Sequence, residues 1–469
     1  MKIPKRQLVS AVAATLSAAV LFTGCAGGSS SGGATSGSGG TGQEPSSTAE
    51  ETAAYPDGKM TFWTYGMPEY MKRYFDGYTQ REDSGAQGVE IEMVNYSGEA
   101  EVRQQVMMTL TSGSTADLPT AISTFPVSMQ VLAENGILKD LTEYVEPYLD
   151  EFIDGAFDQA TYNGRIYGIP YALQPKMLFY NNDIFEEYGI DPERMSTMEG
   201  YIAVGEELKE KSNGEVYLSY VDPGDYTWRY WFRRGLMPQA DGKIWSDDGT
   251  SVVFDTDPGT RLAFETFQTM FEGDMLYNAA TFQPAQYEAA REGKIATFYL
   301  ESFWDSYLRS NLADMSGSWR CMPAPVFEDV GTAGAQAIGM YCVIDKPDDP
   351  YTELFIDMML DFNLNVEARN AWSDEMIAED LPTEHPITKT LLEDPYWSQP
   401  SDYYGGQSYK QMVTKSYENQ SPNLPVTEND AEADNIISAE LEKYVAGAQD
   451  METTITNIGE QLRQKLNMP

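Results

Sequence analysis

Side chains suited to covalent chemistry are scarce in this sequence. Histidine occurs once, as His385 within Thr383-Glu-His-Pro386, which reads as a surface loop. Imidazole metal sites and Ser-His-Asp triads therefore have almost no material. No nucleophile elbow, zinc-binding helix or phosphate loop occurs. Asp255-Thr-Asp257 and Asp345-Lys-Pro-Asp348 lack the spacing of a calcium loop and suit turns and helix caps. No catalytic residue, metal or cofactor is expected. What stands out is a set of aromatic rings at the ends of predicted strands: Trp63, Tyr65, Tyr171, Trp228, Trp231 and Trp304, with Glu301 just ahead of the last. Rings of this kind stack on the apolar faces of sugars, while carboxylates, amides and backbone groups bind sugar hydroxyls. Core packing is the competing account for each ring, above all for Trp228 and Trp231.

The elements that must position them follow from the hydrophobic pattern. Lys59 to Tyr65 predicts a strand, Pro68 opens a helix with Tyr70, Tyr74 and Tyr78 on one face, and Val89 to Val94 predicts a second strand. A helix with Val102, Val106 and Leu110 then precedes a third strand at Leu118 to Ile122. This alternation predicts a parallel sheet covered on both faces, with ligands at the carboxyl ends of its strands. Farther on, Asp257 is placed to cap a helix whose first residue is Pro258 and whose buried face is Leu262, Thr266, Phe267, Met270 and Phe271. At 469 residues the chain is long enough for two cores. The stretch joining them is Gly164 to Asp183: two strands broken at Pro170, with no hairpin chemistry between them, then a helix capped near Asp183 and stopped at Gly189.

YGIP followed after a short gap by FYNND-IFEEYGI resembles the crossing segment of the extracellular solute-binding proteins of ABC importers, in the sugar-binding branch that includes maltose-binding protein. Motifs of that family recur in consistent order from about Met60 to Leu466. They include the Asp241-Gly242 turn leading to Asp257-Pro258, the Tyr287 to Phe298 passage where a helix ends at Gly293 and a strand enters the cleft, Met322-Pro323-Ala-Pro325, and Leu381-Pro382-Thr383. The resemblance implies an α/β, two-lobe periplasmic-binding-protein fold of type II, each lobe a mainly parallel sheet flanked by helices, with the ligand cleft between lobes. It implies lobe 1 over 58–170 and 330–372, and lobe 2 over 171–329 and 373–469. It also places Trp304 as a stacking ring at the cleft, Thr124 and Phe125 in a cleft-edge loop, and Gln174 where maltose-binding protein has a sugar-contacting carboxylate. An amide at Gln174 departs from a maltodextrin site. The implied function is capture of a sugar or oligosaccharide and its delivery to ABC permease subunits, by a monomer with no enzymatic activity. A secreted glycoside-acting enzyme is the alternative, since aromatics with carboxylates also line glycosidase clefts.

Residues 1–24 have the layout of a signal peptide: Lys2, Lys5 and Arg6, then an apolar run to Phe22. Leu21-Phe22-Thr23-Gly24-Cys25 resembles a lipoprotein lipobox, which implies a lipid on Cys25 and a place on the outer face of the cell membrane. Residues 25–57 are mostly Gly, Ser and Thr and read as a flexible tether; Gly37 to Gly42 there mimics a dinucleotide fingerprint without its strand or helix. The formal net charge of −42 excludes nucleic acid as a partner. An oxidising exterior permits a disulfide between Cys321 and Cys342, with two buried free thiols as the alternative.

Overall fold

The computed structural model describes residues 55–469 except 67–68, 380, 382, 423, 425–426 and 428. The expected signal peptide, Cys25 and most of the tether lie outside the described residues. A five-stranded sheet forms the first lobe, in which Gly58–Tyr65 has the edge strand Val89–Tyr96 parallel on one side and the central strand Ala121–Ser123 parallel on the other. Ala337–Val343 continues the sheet antiparallel to Ala121–Ser123, and Gly168–Gln174 closes it. Phe62 and Trp63, adjacent and so on opposite faces, are both buried, which shows that helices cover both sides. On one face Phe62 meets Phe75 of the Glu69–Thr79 helix edge-on at 5.4 Å, and Phe75 meets Phe355 of the Thr352–Leu364 helix at 5.5 Å.

The second lobe is built around Lys176–Asn181, paired antiparallel with Thr297–Glu301 and with Trp319–Pro323. Here the structure departs from the expected mainly parallel sheet: parallel pairing is confined to Ser219–Val221 with Leu276–Asn278 and to isolated bridges at the rim. Side chains alternate across Thr297–Glu301. Tyr299 joins Trp231 and Phe267 in one core, while Phe298 joins Trp304 and Trp319 in the other. The Pro258–Glu272 helix has the predicted Asp257 cap, whose carboxylate accepts from the Thr260 amide at 2.8 Å. Of its expected buried face, Thr266, Phe267 and Met270 are inside and Phe271 packs on the same core, but Leu262 is 39% exposed and Ala263 and Phe264 are buried instead.

The sheets change over at Pro175, not at 170. Gly168–Gln174 stays in the first sheet to its end, and Lys176 begins the second. The last part of the chain also divides later than 372. Trp372, Met376 and Ile387 pack in the first core, and Tyr403, Tyr404 and Val413 pack in the second lobe. The chain then touches the first lobe again, where the Tyr417 hydroxyl donates to the Leu173 carbonyl at 2.9 Å, and ends in the second through Asp430–Val445 and Met451–Leu466. Gly189 adopts the left-handed conformation that ends its helix, as its position predicts (φ 60°). His385, expected on a surface loop, is buried against Trp397 and Tyr417.

Cys321 and Cys342 are free and buried. They belong to different sheets, Cys321 beside Phe179 and Cys342 beside Ile122, so the strand pairing that fixes each lobe holds them apart.

Candidate functional site

A cavity of about 640 Å³ opens between the lobes. Its first-lobe wall is made where strands end and helices begin, as the sheet topology requires. Glu99 and Arg103 come from the start of the Glu99–Thr111 helix, and Phe125 to Ser128 from the turn into Pro126–Glu134. The Phe125 ring sits edge-on to Tyr65 at 5.4 Å, and the Thr124 hydroxyl donates to Glu99 at 2.7 Å. Burial, with Glu99 nearby, pushes the Tyr65 phenol up, so it stays a neutral hydrogen-bonding group.

The opposite wall is a π-helix, Thr227–Leu236. Such helices are rare and tend to occur at functional sites. Their i→i+5 bonding, seen where the Met237 amide donates to the Phe232 carbonyl, brings residues five apart onto one side. Trp228 and Arg229 are thereby aligned with Arg233 and Arg234, and all four line the cavity. The start of the Asp430–Val445 helix completes the wall and ties it down. Asp434 accepts from the Trp228 indole at 2.7 Å and from Arg233 at 2.8 Å, while Asp430 takes the other Arg233 nitrogen at 2.6 Å. Burial pushes the Asp434 carboxyl up, and Arg233 opposes that shift. Arg234 makes a cross-lobe contact, its guanidinium 5.9 Å from the centre of the Phe125 ring.

Behind Arg234 lies a buried charge cluster. Glu301 and Lys176 face each other across paired strands, both with 0% exposed side chains, 3.7 Å apart. Arg234 is 3.8 Å from the same carboxylate oxygen. Lys176 donates to the Tyr230 carbonyl and lies 4.5 Å from the centre of the Tyr299 ring. Burial brings its ammonium down to about 8, with Glu301 working against that shift. Arginines, carboxylates and amides around two aromatic rings suit a ligand rich in hydroxyl groups.

Residues 74–361 match the family described as bacterial extracellular solute-binding protein. The chain belongs to that family. An arabinooligosaccharide-binding protein of Halalkalibacterium halodurans is 23% identical over 326 residues, 66% of this chain and 69% of the relative. A lactose-binding protein of Rhizobium radiobacter is 22% identical over 370 residues, 76% of this chain and 81% of that one. Among solved structures, the ABC transporter associated binding protein from B. animalis subsp. lactis, in complex with beta-1,6-galactobiose, superposes with a TM-score of 0.68 at 18% identity. It covers 87% of this chain and 98% of its own. The two-lobe type II fold of these solute-binding proteins is therefore the fold of this chain.

Within this family fold, the expected site residues separate into two groups. Phe125 and Trp228 line the cavity, with Tyr65 and Thr124 directly behind Phe125. The others do not reach it. Trp304 is wholly buried in the second lobe, stacked on Tyr287 and Tyr307 and 4.9 Å from Phe298, because the Trp304–Asn311 helix folds back over the Phe298 face of the sheet. Trp231 donates its indole N–H to the Tyr220 carbonyl and packs on Tyr299. Glu301 is sealed behind Arg234. Trp63 packs edge-on to Tyr96 in the first core, and Tyr171 tilts over Tyr341 against Gly339, where a Cβ would come within 2.6 Å of the ring. Gln174 interacts with Glu384, whose carboxylate also takes the Tyr70 hydroxyl at 2.9 Å. The arginines of the far wall were missed, yet the sequence carries a signal for them. Three arginines within Arg229–Arg234, beside two tryptophans, are conspicuous in a chain with 31 basic against 73 acidic residues.

Proposed function

We propose that this protein is an extracellular receptor that captures a sugar or oligosaccharide between its lobes and passes it to the permease subunits of an ABC transporter. It is anchored through a lipid on Cys25 and works as a monomer. The observation that carries the reading is the cavity itself: one wall from each lobe, rings at Phe125 and Trp228, and hydrogen-bonding groups on both sides. The names of the relatives, which include arabinooligosaccharide- and lactose-binding proteins, point to the same ligand class. Release and capture follow a hinge equilibrium that the ligand biases, because only the closed arrangement lets it touch both walls. Three segments link the lobes at the hinge: Pro175, the stretch from Ala324 to Gln336, and the stretch between Ile387 and Tyr403, after which Tyr417 touches the first lobe again. The glycoside-acting alternative is not favoured: the relatives are binding proteins, and Glu301, the acid just ahead of Trp304, is sealed beneath Arg234.

A thermal-shift screen over mono- and oligosaccharides tests the ligand class, and small-angle scattering tests closure. A sugar that raises the melting temperature should also make the protein more compact. If no sugar in the panel stabilises the protein, the carbohydrate reading fails. Anchoring is tested separately: Cys25→Ser should move the protein from the membrane fraction into the medium, and continued lipid labelling of that variant would contradict it.

A further inference from the structure

A second chamber, of about 670 Å³, adjoins the inter-lobe cavity. The two share Pro126, Gln159, Gln336 and Leu424 in their walls, so they lie side by side with these residues between them. There the Gln159 side-chain amide donates to the Gln336 carbonyl at 3.2 Å, linking the first lobe to the segment that returns from the second. The new chamber lies between Asp154–Asn163 of the first lobe and Tyr417–Pro422 of the last passage. Its chemistry differs from the first chamber. The described lining offers carboxylates at Asp154, Asp158 and Glu418 and amides at Gln130 and Gln420, with no lysine or arginine. Gln420 donates to the Ser416 carbonyl, but its own buried side-chain oxygen has no partner. A buried acceptor left unpaired carries a cost that a hydroxyl donor would relieve. Acceptors without cations suit a neutral chain of hydroxyls and disfavour an anion.

Each chamber falls in the range of about 300–1,000 Å³ that one compact ligand fills, so a ligand of one or two rings would occupy only the first. We infer that the ligand is an oligosaccharide of about three or more rings that runs from the inter-lobe cavity, past Gln159 and Gln336, into this second chamber. The inference rests on the proposed sugar-binding function and adds ligand length to it.

Calorimetry on the whole protein with arabino-, galacto- and gluco-oligosaccharides of two to five rings tests it. In the series that binds, affinity should rise about tenfold or more between the two-ring and four-ring members. Gln130→Trp, which puts a bulky ring into the second chamber, should reduce that gain and leave the two-ring affinity as it was. Asp154→Ala, at an exposed position that should not disturb folding, should reduce the gain in the same direction. Equal affinity for short and long members, or a gain that survives both substitutions, overturns the inference while leaving sugar binding standing. Failure of every series to bind overturns both.

Discussion

Where a buried ring sits relative to the cavity decides what it does. Trp304 and Trp228 look alike in sequence, each beside an acid or a base near a predicted loop, and both are buried; Trp304 lies inside a ring cluster away from the cavity, while Trp228 reaches the cavity wall with its indole fixed by Asp434. Trp304→Ala should lower the unfolding free energy by about 3–5 kcal/mol, measured by denaturant titration, because nothing can refill the space between Tyr287 and Phe298. His385 offers a test of a different kind, being the chain's only histidine. Burial, reinforced by Lys410 and Arg369, drives its imidazole well below the ordinary 6.5. Below pH 6.5 the unfolded chain therefore takes up a proton that the folded one refuses. Stability should fall as pH drops from 6.5, by up to about 1.4 kcal/mol per pH unit, and rise to a plateau above it. Comparing the pH dependence of unfolding with that of His385→Gln isolates this contribution; parallel profiles would contradict it. The cysteines give a simple count: both thiols should react in denaturant without reductant and neither in the folded protein, where burial raises both.

Among the elements, the π-helix Thr227–Leu236 and the strand pair beneath it form the working unit of the second lobe. Glu301 faces two cations there, so removing it would strand Lys176, which is wholly buried, and take the carboxylate from Arg234 at the cavity wall. Glu301→Ala should cost about 3–5 kcal/mol of stability, more than a surface carboxylate would, and thermal or denaturant unfolding reads this directly. The regular elements were legible in the sequence because their signals are local. The Asp257-Pro258 cap, the glycine stop at Gly189 and the strand run Met177 to Tyr180 each depend on a few neighbouring residues. The candidate site was legible only in part. Phe125 follows a strand end, which the alternation of strands and helices locates. Glu301 ends a strand and Trp304 follows it, but their direction depends on which sheet face the next helix covers, and no local pattern encodes that. The alignment of Trp228, Arg229, Arg233 and Arg234 required a π-helix, whereas the ordinary helical period distributes those four residues differently. His385 was misplaced because its polar neighbours conceal the Trp397 and Tyr417 rings that enclose it.

At the scale of the whole molecule, two α/β lobes meet at three chain passages, and the cavity exists only where their walls face each other. Arg234 over Phe125 is a contact that links one lobe to the other across it. Closure on a ligand should therefore depend on the Phe125 ring while folding does not, since that ring is only half-buried at the start of a helix. Loss of a desolvated aromatic at a binding hot spot typically costs about 2 kcal/mol or more, roughly a 30-fold loss of affinity. Calorimetric titration of wild type and Phe125→Ala, with the sugar that most stabilises the wild type, is the most direct test that this cavity is the binding site. The expected result is affinity weakened by about 30-fold with an unchanged melting temperature for the free protein; equal affinities in the two proteins would place the ligand elsewhere.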